Sequence, residues 1–204
     1  MARAVLSIAS EVYPLVKTGG LADVVGALPA ALAAHQFETT TLVPGYPDVM
    51  KSLSGQRATM QWPDLFGGPA RLVEGEAGAL SLFALDAPHL YARAGGLYGD
   101  AAGKDWPDNW KRFAALGQAG ARIARDRAFD VVHAHDWQAA MAPVYLRYSD
   151  LAGPPSLITI HNIAFQGRFD ASVFAGLGLP PRAFSIEGVE YFGGVGFLKG
   201  GMQA

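Results

Sequence analysis

The chain has no cysteine among its 204 residues, so neither a disulfide framework nor a thiolate metal site is open to it. Charge of one sign is scarce as well: 16 Lys and Arg against 18 Asp and Glu leave a formal net charge of −2. That balance offers no basic footprint for nucleic acid and no polybasic patch for a membrane surface, so small or neutral partners are expected. No run reaches the roughly eighteen apolar residues that a spanning helix needs. The opening MARAVLSIASEVYP has one short apolar run, broken by Glu11 and followed by no small-residue cleavage site; it reads as a first strand rather than a signal peptide. A soluble cytoplasmic protein is the expectation.

What is present points to one α/β domain. Half the residues are hydrophobic, which suits buried parallel strands, and the length fits a single large core. The chain is organised around residues 17–29, KTGGLADVVGALP. A short apolar run at 5–10 reads as a buried strand and 21–34 as a helix, so Gly19 and Gly20 fall at a strand-to-helix turn. Such a turn presents unpartnered N–H groups and the positive end of a helix dipole to an anion, and two glycines allow close approach. Lys17 adds a mobile cation before the turn, and Asp23 a carboxylate in the first helical turn. The spacing is neither a Walker A loop nor GxGxxG. A glycine turn beside a solvated lysine is the other reading. Pro29 is expected to distort the helix by removing the bond to the Val25 carbonyl.

Along the chain, 39–43 reads as a second strand, and 58–61, 70–74 and 80–85 as an antiparallel meander inserted into or added beside the sheet. Residues 86–109 form a long loop with Tyr91, Tyr98 and Trp106, followed by Trp110; packing as a lid and presenting rings to sugars are both open to it. A helix at 108–126, a strand at 129–134, a helix at 138–148 interrupted early by Pro143, and a strand at 156–160 follow. The alternation implies a doubly wound, mostly parallel Rossmann-like sheet, with ligands at the carboxyl ends of its strands. After residue 161 the pattern weakens, and the chain reads as ending inside an element.

Three segments lie at such strand ends: KTGGL, HAHDW (133–137) and His161–Asn162. His133, His135 and Asp136 leave a metal ligand set open, although no further ligand motif accompanies them. The other reading makes His133 a hydrogen-bonded core histidine and Asp136 the N-cap of the next helix.

KTGGLADVVGALPAAL, DAPHLY (86–91), HAHDW and TIHNIAFQG (159–167) together resemble, in order and separation, the bacterial glycogen synthases and plant starch synthases of glycosyltransferase family 5. The resemblance implies the N-terminal half of a two-domain GT-B fold and a retaining glucosyltransferase, without metal or other cofactor, acting from ADP-glucose onto an α-1,4-glucan or maltooligosaccharide. It implies that Lys17 meets the donor near its phosphates or glucose beside the Gly19–Gly20 backbone. Asp136 and His161 would line the glucose and acceptor side. Asp23 matches the aspartate of GGLAD, Tyr98 would stack on a sugar, and Asn162 would donate a hydrogen bond nearby. That chemistry needs charge neutralised on a departing diphosphate and an oxocarbenium-like sugar stabilised.

The enzymes of that family are much longer, and a second Rossmann-like domain supplies most of their nucleotide pocket. Residues 1–204 are therefore expected to be the acceptor-side domain alone, binding glucan weakly and turning over little ADP-glucose. Two rivals remain: a GT-B synthase using another nucleotide sugar, and a non-catalytic glucan-binding module.

Overall fold

The first strand, β1 (Arg3–Ile8), is buried at every position from Val5 to Ile8, hence on both faces, as a strand inside a parallel sheet must be. The computed structural model describes residues 2–204 and leads from β1 into α1 (Gly20–Ala33), β2 (Phe37–Pro44) and the short α2 (Pro47–Ser52). β2 pairs parallel with β1, with Leu42 opposite Ile8. The meander is β3 (Ser54–Trp62), β4 (Ala70–Ala77) and β5 (Leu80–Asp86), antiparallel within itself. β5 pairs parallel with β2, so the meander extends one edge of the main sheet.

After α3 (Pro88–Tyr91) and α4 (Asn109–Asp126) the chain returns to the other side of β1. There β6 (Val131–His135) pairs parallel with β1, and β7 (Ser156–Thr159) pairs parallel with β6 after α5 (Asp136–Ala139) and α6 (Met141–Arg147). The strand order is β3-β4-β5-β2-β1-β6-β7. Chain order thus reverses between β1 and β6, and a doubly wound sheet opens its crevice at the carboxyl ends of that pair. Among the described residues no helix is long and apolar enough to cross a membrane.

α1 continues through Pro29 to Ala33. The helix is anchored upstream, by buried Leu21, Ala22 and Val25, and the loss of one bond to Val25 in its outer half does not end it. The middle of α1 lies tight against the preceding loop: a Cβ on Gly26 would lie 2.5 Å from the Tyr13 carbonyl oxygen. Pro143 does not interrupt the helix where it sits. The break falls at Ala140, between α5 and α6, because the proline ring removes the bond to Ala139 and crowds that carbonyl one turn upstream.

The loop at 92–108 is supported from beneath. Arg112, 1% exposed on α4, donates to the Leu90 and Leu97 carbonyls at 3.0 and 2.8 Å and to Asn109 Oδ1 at 2.7 Å. Tyr91 is buried and donates to the Arg112 carbonyl; Trp106 donates to the Gly96 carbonyl. Beyond residue 161, β8 (Arg168–Phe169), β9 (Glu190–Tyr191) and β10 (Gly194–Gly196) form a small antiparallel sheet ordered β8-β10-β9, followed by α7 (Phe197–Gln203). Phe192 and Gly193, both at positive φ, close the β9–β10 hairpin.

Candidate active site

Each wall of the crevice begins where a central strand stops. Past β1, Glu11 is 2% exposed and turns its carboxylate onto the start of the glycine turn. It accepts from Thr18 N at 2.5 Å, Thr18 Oγ1 at 2.6 Å and Gly19 N at 3.4 Å, and from the Tyr98 hydroxyl. Ser10 Oγ lies 2.7 Å from the same phenol oxygen. The turn is therefore partly filled by the chain's own carboxylate. The N–H groups of Gly20 and Leu21, at the first two positions of α1 and lacking intrahelical partners, remain for a ligand.

Past β6, Asp136 takes a left-handed backbone, φ 58°, which a non-glycine residue adopts at a cost of about 1–3 kcal/mol. Aspartate tolerates this conformation better than most side chains. Its carboxylate does not cap the following helix. Oδ1 instead accepts from His161 N at 2.9 Å and Asn162 N at 3.4 Å, tying the end of β6 to the end of β7. Oδ2 makes no hydrogen bond among the described residues. Trp137 packs edge-on against Phe113, with centroids 4.9 Å apart, and against Phe169. Gly167, at φ 59°, leaves room for that indole: a Cβ there would lie 2.4 Å from the Trp137 ring.

Behind this wall stand three histidines. His133 Nε2 is 2.8 Å from Thr159 Oγ1, and its ring lies over His135 with centroids 4.0 Å apart. His135 is fully buried, and its Nδ1 is 3.0 Å from His161 Nε2. Burial and the His161 ring push His133 down to about 4; burial and both neighbouring imidazoles push His135 down to about 3. Both are neutral at physiological pH. With His133 on Thr159, His135 on His161 and Asp136 on backbone amides, the three side chains are engaged separately, and among the described residues no group of His, Asp and Glu is arranged to hold a metal ion.

The strand ends enclose one cavity of about 700 Å³. Its lining includes Gly19, Gly20, Tyr98, Asp136, His161 and Asn162, six of the eight residues singled out from the sequence. Lys17 and Asp23 lie outside the lining: Lys17 Nζ is 2.7 Å from each Asp23 carboxylate oxygen, and both side chains are nearly half exposed. Such an exposed pair contributes about 0–1 kcal/mol, so Lys17 is released at little cost. The Tyr98 ring packs on Phe113, 5.9 Å between centroids, with its hydroxyl committed to Glu11 and its acidity suppressed mainly by burial.

Sequence reasoning missed Glu11, Gln138 and Phe165. Gln138 is 7% exposed, and its Oε1 has no partner among the described residues; Phe165 stands 62% exposed on the rim. A carboxylate closing a buried strand was the available signal for Glu11.

Hydroxyl-matching amides, carboxylates and an imidazole beside aromatic edges, at the switch point of a doubly wound sheet, suit a sugar-handling domain of the GT-B class. The fold matches the catalytic domain of Starch Synthase IV from Arabidopsis thaliana bound to ADP and acarbose, with a TM-score of 0.82 and 25% identity over 100% of this chain and 43% of that one. The chain belongs to the starch synthase catalytic domain family, which it matches over residues 4–204. It is 58% identical over 203 residues to a glycogen synthase of Rhizobium tropici and 55% identical over 204 residues to one of Mesorhizobium japonicum. Each of these two glycogen synthase alignments covers 98% of this chain and 42% of the relative, so the chain spans less than half the length of these proteins.

Proposed function

We propose that residues 1–204 are the acceptor-side domain of a cytoplasmic hexosyltransferase that moves glucose from ADP-glucose to the non-reducing end of an α-1,4-glucan with retention. A second, nucleotide-sugar domain works opposite the crevice. The observation that carries this reading is the meeting of Gly19–Gly20, Asp136 and His161–Asn162 in one cavity at the switch point. Family membership and similarity to glycogen synthases support it.

In this reading Lys17 leaves Asp23 for the departing diphosphate, joined by the Gly20 and Leu21 N–H groups at the positive end of α1. Asp136 faces the sugar with its free carboxylate oxygen, and His161 and Asn162 bind hydroxyls. Charge placed beforehand where it develops in the transition state stabilises an oxocarbenium-like sugar more than its ground state.

Titrating maltooligosaccharides while following Trp137 emission tests the acceptor part. Weak, saturable binding that Asp136→Asn or His161→Ala reduces is expected; absence of any sugar-dependent change would overturn it. Glucose transfer by the 204-residue chain alone at about 1 per second or faster would overturn the need for a second domain.

A further inference from the structure

We propose that His135 is a positioning residue that dictates which nitrogen of His161 carries the proton, so that His161 meets a bound sugar as a hydrogen-bond donor and not as a base. The consequence for sugar rests on the glycosyl-transfer reading above; the proton placement does not.

The two rings stand 27° from parallel, with His135 Nδ1 3.0 Å from His161 Nε2. One proton lies between these nitrogens, and two arrangements satisfy that. In the first, His161 donates through Nε2 and the proton of neutral His135 sits on its own Nε2. That atom is buried and has no hydrogen-bond partner among the described residues, so an orphaned N–H would be sealed in the core. In the second, His135 donates through Nδ1 and keeps only a bare lone pair on Nε2. Orphaned buried donors are the rarer of the two defects in folded proteins, and the second arrangement avoids one.

His161 then accepts through Nε2 and carries its own proton on Nδ1. His161 lines the cavity with Nε2 turned to His135, which leaves Nδ1–H as the polar ring atom available to a ligand. The lone pair that a base would need is already engaged. The surroundings hold the arrangement in place. His133 covers one face of His135 and is itself tied to Thr159, and Asp136 fixes the His161 backbone. A second proton on His135 is opposed by burial and by the rings of His133 and His161.

The test is a long-range 1H–15N correlation spectrum of the histidine rings in the 15N-labelled 204-residue chain, without sugar and near neutral pH. His161 is expected with a protonated-type Nδ1 and an unprotonated Nε2. His135→Asn, whose amide N–H stands near the position of Nδ1–H, should retain that pattern. His135→Leu should let His161 move to the Nε2–H form that free histidine favours. A wild-type His161 carrying its proton on Nε2 overturns the proposal, as does an unchanged tautomer in folded His135→Leu. If the leucine variant fails to fold, the wild-type and His135→Asn spectra decide. Because no sugar is present, a negative result here is separate from failure of the glucan titration.

Discussion

Glu11 and Tyr98 are 87 positions apart in the chain and share a hydrogen bond, the phenol donating to a carboxylate that also gathers Thr18 N, Thr18 Oγ1 and Gly19 N. One buried charge thereby joins the end of β1, the glycine turn and the aromatic loop. Glu11→Gln keeps the shape but turns a donor-bearing amide onto donors. It should cost about 1–3 kcal/mol. In a chain of this size that is a fall of about 2–4 °C in melting temperature per kcal/mol. Tyr98→Phe, which removes the hydrogen bonds to Glu11 and Ser10 together, should cost about 1–3 kcal/mol. Thermal unfolding of both variants checks these losses.

Lys17→Ala and Asp23→Ala should each leave stability within about 0.5 kcal/mol of wild type, because their ion pair is exposed. They should part in function. In a protein containing both domains, Lys17→Ala is expected to weaken ADP-glucose use by tenfold or more, about 1.4 kcal/mol. Asp23→Ala, which frees the lysine, is expected to change it far less. Steady-state kinetics on the two variants separate these outcomes.

Acid should unfold the chain through His133 and His135. Their folded values near 4 and 3 lie below the ordinary 6.5, so the unfolded chain binds more protons as pH falls below 6.5. Their contribution is fully present above pH 6.5 and shrinks as pH falls toward the folded values, by on the order of 3 kcal/mol for each histidine at pH 4. Urea unfolding at several pH values between 7 and 4 measures the slope. His133→Gln should flatten it.

Arg112→Met should destabilise the domain by more than about 3 kcal/mol, since it strands the Leu90 and Leu97 carbonyls and Asn109 Oδ1 beneath the loop. Hydrogen exchange should show residues 92–108 losing protection first.

Much of the scaffold was legible because periodicity reports burial. Apolar runs at 5–10 and 39–43 marked central strands, and the alternation of strands and helices placed the crevice before any contact was known. What remained hidden depended on chain-distant contacts. Nothing near Glu11 announces Tyr98. Asp136 looks like an N-cap in sequence, and only its left-handed backbone turns the carboxylate toward β7. The β9–β10 hairpin escaped notice because Phe192 occupies a positive-φ turn position where asparagine or glycine is the usual marker.

The left-handed peptide at position 136 sets a two-tier filter on what that position accepts. Selection for folding alone should admit aspartate, asparagine and glycine, the side chains that bear this torsion at least cost. Only the first of these supplies a negative oxygen to the crevice, so screening a saturation library at this single codon for solubility and then for polymer elongation should shrink three survivors to one.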